Sequence, residues 1–346
     1  MNFIFYALVT ALIIGFLTFI HEFGHFFFAR LFKVPVIEFA IGMGPKLFSW
    51  TGKTGTRYAL RAFPIGGFVQ MEGEEGTSDN PNAYNNLNPW KKIAVTAAGP
   101  AVNIIFAVIV MFILVLFTPT LGSTTVADFV DGSVSHSSLQ PMDEIVKIGN
   151  VAVHTSEELY YEVAMQGFEA IDITVIRDGK RIVLEDVVFN TVSESGVLLG
   201  VMDFRVYALS ALSNVTVFDY LSQAFYRSIN TVKTVFDSLI GLITGRFGVD
   251  AVSGPVGIIE SVGQVAAINP SALVNFVVLI SMNLGIFNLL PVPALDGGRI
   301  LFHLIDGIAG KKVIKKEIED TITGITMLLL LGFMFLVSIK DIINLF

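Results

Sequence analysis

Four stretches of this chain carry no charged side chain at all: residues 1–20, 93–127, 261–295 and 321–339. A helix that crosses a bilayer needs about 20 mostly apolar residues. Without water, its backbone groups must find their hydrogen-bond partners internally, which a helix provides. The feature therefore points to a polytopic α-helical membrane protein, and the densest apolar parts predict four transmembrane helices, at 1–30, 93–118, 271–310 and within 311–346. Composition agrees, with 53% hydrophobic residues and only 15% charged ones, against about 25% charged in a soluble domain. The first segment has no basic start and no small-residue cleavage site, so it reads as a retained span rather than a cleaved signal peptide.

Lysine and arginine placement sets the expected orientation. The loop 30–92 holds eight of them, the loop 311–316 holds four (Lys311, Lys312, Lys315 and Lys316), and the much longer segment 119–270 holds eight thinly spread ones. This puts 30–92 and 311–316 in the cytoplasm, and both termini and 119–270 outside, in the cell inner or plasma membrane. The formal net charge of −8 argues against a nucleic-acid partner. With no cysteine in the chain, disulfides, cysteine nucleophiles and thiolate metal sites are excluded.

Between the spans, 31–92 reads as a β-rich, membrane-associated segment. Residues 37–42 and 58–63 have strand character about a turn at 51–55, residues 63–69 are apolar enough to dip into the membrane, and 72–88, with Glu72, Glu74 and Glu75, reads as a solvated loop. Residues 119–205 read as one extracytoplasmic α+β domain with a short helix at 157–166. Residues 206–270 read as amphipathic linker helices, with apolar residues at helical spacing from Tyr220 to Ile240.

The chemistry lies in His21-Glu22-Phe23-Gly24-His25. Two histidines four apart share one helix face and can share a metal, with the intervening glutamate placed to handle the proton of a water. Catalytic zinc takes three protein ligands and keeps a fourth position open, so one ligand is missing from this pair. Asp296 is the candidate. It ends a charge-free run of 35 residues, after the helix-breaking Pro291 and Pro293. Irregular backbone at membrane depth is tolerated where it is buried in protein or lines a cavity. Taken alone, Asp296 could equally be a helix N-cap.

The motif His-Glu-Phe-Gly-His with Leu295-Asp296-Gly297-Gly298 resembles the site-2 proteases, intramembrane zinc metalloproteases, and most closely the bacterial regulator-of-sigma-E-protease type. The stretches 63–69, 99–103, 253–258 and 288–298 fit the same type in the same order. The resemblance implies Zn2+ held by His21, His25 and Asp296, with Glu22 as general base. It implies cleavage of single-span membrane proteins within or near the bilayer, anti-sigma-factor-like proteins or signal-peptide remnants among them, in contact with membrane lipid. It also implies substrate contacts at Asn288 and at Gly66, Gly67 and Phe68 of the β-rich segment, where a substrate would add as a strand. The outer module resembles a single PDZ domain through residues 138–150, departing from the usual pattern at Met142, where glycine is common, and at Gly149-Asn150.

Other polar residues read as structural. His303, seven residues after Asp296, is expected to be interfacial, and Asn103 is expected to bond between helices in preference to touching the site. Two rival functions stand beside the protease. One is a catalytically idle scaffold binding partners through the PDZ domain, against which the intact Glu22 argues. The other is a transporter, against which the lack of internal repeats argues.

Overall fold

The computed structural model describes residues 3–74, 76–194, 196–248 and 252–344. From the N-terminus, helix α1 (Phe3–Leu31) leads into strands β1 (Val36–Thr51) and β2 (Arg57–Met71), then helix α2 (Pro89–Leu116). Next come β3 (Gly122–Phe129), β4 (Glu144–Ile148), β5 (Val151–Ala152), α3 (Ser156–Gln166), β6 (Ile171–Arg177) and β7 (Lys180–Val187). Strands β8 (Asn190–Glu194), β9 (Val197–Val201) and β10 (Phe204–Ala208) precede the single turn α4 (Leu209–Leu212) and the long α5 (Val217–Ile243). Helices α6 (Pro255–Ile268), α7 (Pro270–Asn288), α8 (Asp296–Ala309) and α9 (Lys316–Asn344) follow. The chain forms two compact units, residues 1–107 with 253–346, and residues 108–252.

Four helices among the described residues are long and apolar enough to cross a membrane: α1, α2, α7 and α9. Their outer faces carry exposed Leu8, Leu12 and Phe16 on α1 and Leu328, Leu329, Phe335 and Leu336 on α9, a surface suited to lipid and not to water. The four-span expectation therefore holds, with different boundaries. The expected span 271–310 is two helices, and only α7 has spanning length. Pro291 and Pro293 lack the N–H that would continue the ladder. The break satisfies itself locally, with Leu290 N donating to Phe287 O (3.0 Å), Val292 N to Leu290 O (2.7 Å) and Leu295 N to Val292 O (2.8 Å). Gly297 and Gly298 let the chain double back at the start of α8, because a Cβ on either would overlap backbone of residues 289–293.

The expected linker 206–270 also divides. Helix α5 belongs to the second unit, whereas α6 belongs to the first and packs against α1, α7 and α9. Asp341 of α9 caps α6, its Oδ2 accepting from Gly254 N (2.8 Å) and Gly257 N (2.9 Å). A carboxylate at a helix N-terminus answers both the unpaired N–H groups and the dipole.

Strands β1 and β2 run beyond the expected 37–42 and 58–63, and the segment expected to dip into the membrane, 63–69, is the second half of β2. It pairs with β1, Ala40 opposite Phe68 and Ile41 opposite Gly67. Residues 38–41 of β1 also lie beside 57–60, so the hairpin folds over on itself. Bends at Gly42, Gly44 and Gly66, with φ of 82°, 86° and 78°, allow this. The buried carboxylate of Glu38 ties the layers, accepting from Lys46 Nζ and Arg61 Nη2, each at 2.7 Å. Burial alone would raise its pKa, but these two cations outweigh burial and hold it below the usual carboxylate value. Phe39, Val69 and Met71 close a core with Ala29 of α1 and Val95 of α2, which fixes the hairpin against the second half of α1.

In the second unit, strands run in the order β10-β3-β4-β6-β7, with β5 on β4 and β8 paired to β9. Helix α3 begins with a capping box between Thr155 and Glu158 and buries Leu159 and Val163 against Ile145, Ile148, Ile173 and Val175. Helix α5 turns its polar side to α3, with Arg227 on Glu157 (2.7 Å) and Tyr161 Oη donating to Asp237 (3.0 Å). Phe225, Ile229, Phe236 and Ile240 of the stripe expected from the sequence stay exposed, while its Tyr220 and Val232 are half-buried; Phe218 and Leu221 of α5 are exposed as well. The turn at 141–143 places Met142 at φ 73°, a conformation that L side chains resist. Met142 is 58% exposed and has little packing to lose. Met142→Gly is expected to stabilise this unit by about 0.5–1 kcal/mol, read as slower amide exchange in β3 and β4; unchanged or faster exchange would refute the strain assignment.

Candidate metal centre

Helix α1 brings His21 and His25 onto one face, one turn apart, with ring centroids 4.8 Å from each other. Asp296, the first residue of α8, turns its carboxylate to both instead of capping its own helix. The Nε2 atoms lie 3.2 Å apart, and Asp296 Oδ2 is 3.1 Å from His21 Nε2 and 3.4 Å from His25 Nε2. Zinc bonds of 2.0–2.2 Å at a tetrahedral angle put neighbouring ligand atoms about 3.3 Å apart. The triangle has that size. Its two imidazoles and one carboxylate are also a catalytic-zinc donor set that leaves a fourth position open. Among the described residues, this is the group of three such side chains placed to hold a metal.

The second half of the support comes from α2. His25 Nδ1 meets the Val95 carbonyl at 2.9 Å, and His21 Nδ1 meets the Asn103 amide at 3.3 Å. Asn103, expected to link helices in preference to touching the site, does both: its backbone carbonyl accepts from Ser281 Oγ of α7 (3.0 Å), and its side chain meets His21. Close approach of α1 and α2 needs glycine on both sides. A Cβ on Gly24 would overlap the Ala98 carbonyl, and one on Gly99 would overlap His25 Nε2. Small residues at crossings are the usual means of helix contact in membranes.

A cavity of about 820 Å³ opens at the triangle, lined by His21, Glu22, His25, Gly67, Phe68 and Asp296 among others. Glu22 stands on its wall beside the hairpin, where a Cβ on Gly67 would lie 3.3 Å from Glu22 Cγ. Of the residues expected to contact substrate, Gly67 and Phe68 line the cavity, whereas Gly66 and Asn288 do not. Asn288 ends α7 and is half-buried.

The rim was not foreseen. Glu74, expected in a solvated loop, accepts from Arg299 Nη1 at 2.7 Å, and its carbonyl accepts from Lys316 Nζ at 2.9 Å. Glu75 lies outside the described residues. Tyr84 Oη bridges Thr96 Oγ1 (3.0 Å) and His303 Nε2 (2.9 Å), so His303 stays off the triangle as expected. Burial pushes the Tyr84 phenol up to about 12, keeping its hydrogen in place for one of these bonds. Arg299 sits one turn after Asp296, a spacing that could have marked it as a neighbour of the site.

Comparison with known proteins places these residues in a wider set. Residues 9–333 match the family model for peptidase family M50. A Clostridium acetobutylicum protein named as a candidate zinc metalloprotease is 37% identical over 343 residues, covering 98% of each chain. A Fusobacterium nucleatum protein with the same kind of name is 34% identical over 98% of this chain and 99% of its own. Zinc metalloprotease RasP of Shouchella clausii is 29% identical over 95% of this chain and 97% of its own.

Proposed function

The chain belongs to peptidase family M50, zinc metalloproteases of the site-2 type, and we propose that it cuts membrane-spanning substrates within or near the bilayer, with zinc held by His21, His25 and Asp296. The observation that carries this reading is the triangle itself: three donor atoms 3.1–3.4 Å apart, two of them on a helix of spanning length, open to a cavity. Zinc, when bound, supplies a Lewis acid that acidifies water and polarises a carbonyl. Glu22 takes the proton of the attacking water and returns it to the leaving amide nitrogen. Its place on the cavity wall, beside the triangle and not in it, suits that work. Residues 67–71 of β2 run along the same wall. An extended run there supports a substrate that unwinds and adds alongside it, since hydrolysis needs an exposed, extended peptide bond. The sheet and helix of the second unit, with a buried Leu139 and a left-handed turn at Met142, support a PDZ domain. The lysines at 311–316 support a cytoplasmic loop between α8 and α9 in an inner-membrane orientation with 119–270 outside.

A labelled transmembrane peptide incubated with the purified chain tests this. Cleavage is expected to stop with a zinc chelator and return with added zinc. Asp296→Asn is expected to weaken zinc retention by tenfold or more (an order-of-magnitude expectation from ligand-sphere substitutions), read as metal content after dialysis. Cleavage indifferent to chelation, or full zinc in Asp296→Asn, would overturn the reading.

A further inference from the structure

The two histidines of the centre are held by different kinds of partner. His25 Nδ1 faces the carbonyl oxygen of Val95 at 2.9 Å. A carbonyl only accepts, so a hydrogen sits on His25 Nδ1, which leaves Nε2 as the nitrogen that can offer a lone pair to a metal. His21 Nδ1 faces the side-chain amide of Asn103, with Nδ2 at 3.3 Å. An amide can donate through Nδ2 or accept through Oδ1. With Nδ2 toward the ring, His21 Nδ1 must be bare and its hydrogen sits on Nε2, directed to Asp296 Oδ2 at 3.1 Å. That tautomer pairs His21 with Asp296 and leaves no lone pair on His21 Nε2 for a metal.

Asn103 holds a second clue. Its residue is fully buried, and its Oδ1 has no hydrogen-bond partner. A buried amide oxygen without a partner is unfavourable. Half a turn about the terminal amide torsion exchanges Oδ1 and Nδ2 with almost no change in shape. It brings the unpartnered oxygen to His21 Nδ1. The backbone is held while this happens, because Ser281 Oγ of α7 donates to the Asn103 carbonyl at 3.0 Å.

We propose that Asn103 is a positioning residue for the metal: in the zinc-bound protein its Oδ1 accepts the hydrogen of His21 Nδ1, fixing the tautomer in which His21 Nε2 is a ligand. Asn103 then does for His21 what the Val95 carbonyl does for His25, with the difference that its amide can also turn to serve the metal-free state. The inference rests on the reading of His21, His25 and Asp296 as the zinc ligands.

The test measures zinc affinity of the full chain in detergent by competition with a chromogenic chelator, and the thermal midpoint of the zinc-free form. Asn103→Leu has similar size and no acceptor, and is expected to bind zinc about 10–100-fold more weakly. Its zinc-free midpoint should be no lower than that of the unaltered chain. Asn103→Asp keeps an acceptor and is expected to stay within about threefold of the unaltered affinity, a rescue that a mere packing role would not give. Asn103→Ala, which also lacks the acceptor, replaces Asn103→Leu if that variant does not fold. Unaltered affinity in the variants without an acceptor overturns the proposal, as does an Asn103→Asp that binds as weakly as they do. His21→Ala serves as the control on the underlying reading. If it keeps unaltered zinc affinity, the ligand set is wrong. If it loses zinc while Asn103→Leu does not, only the role of Asn103 fails.

Discussion

Glu22→Gln is expected to keep the fold and the zinc while losing about 10²–10⁴-fold in cleavage rate, the range that a positioned acid–base group contributes. The exchange is isosteric, and glutamine cannot take a proton from water. Among the described residues no hydrogen bond holds the Glu22 side chain, so the substitution breaks no structural link. Glu22 lines the cavity but is not one of the three clustered donors. Cleavage rate and zinc content should therefore separate when measured on one sample. Cleavage near the unaltered rate would remove Glu22 from the mechanism, and loss of zinc would show that it has a structural role as well.

Gly99→Ala carries the second large effect, although it adds one methyl group far in sequence from the histidines. The added Cβ would overlap His25 Nε2, the atom that faces Asp296. His25 cannot simply swing aside, because its Nδ1 is bonded to the Val95 carbonyl one turn earlier on the same α2. Helix α2 cannot retreat cheaply either, since Gly285 of α7 packs against the Pro100 carbonyl and Ile104. A displacement near 1 Å of one reacting group costs about 100-fold, and we expect cleavage to fall by that order, together with zinc content. Gly324→Ala and Gly332→Ala on α9 are the controls. A Cβ at either position meets nothing within 4 Å, and alanine is the better helix former, so both properties should stay unchanged. Full zinc and full cleavage in Gly99→Ala would mean that α1 and α2 can separate without harm to the centre.

What could be read in the sequence was local or compositional. The spans follow from charge-free runs, and the histidine pair follows from spacing on one helix. Asp296 was legible because it is the charged residue that ends such a run. What escaped depends on which helices meet. Asn103 lies 82 positions from His21, and Glu74 lies 225 from Arg299; no periodicity links them. The extent of the hairpin escaped for another reason: an apolar run with two glycines at 63–69 does not mark a strand by itself, and the pairing with β1 decides. Helix α6 was misplaced because 14 residues are too few to span, although its packing and the Asp341 cap join it to the first unit.

In the proposed ligand set, the metal centre draws two groups from α1 and the third from α8, 275 residues later (296 − 21). Translation at about 5–20 residues per second therefore leaves the histidine pair waiting about 14–55 s for its partner. Through that interval the nascent chain carries the glutamate and two of its three metal ligands among other newly inserted membrane proteins, yet it has no closed coordination sphere. On the proposed ligand set, the order in which the parts are made keeps the centre incomplete until α8 is added.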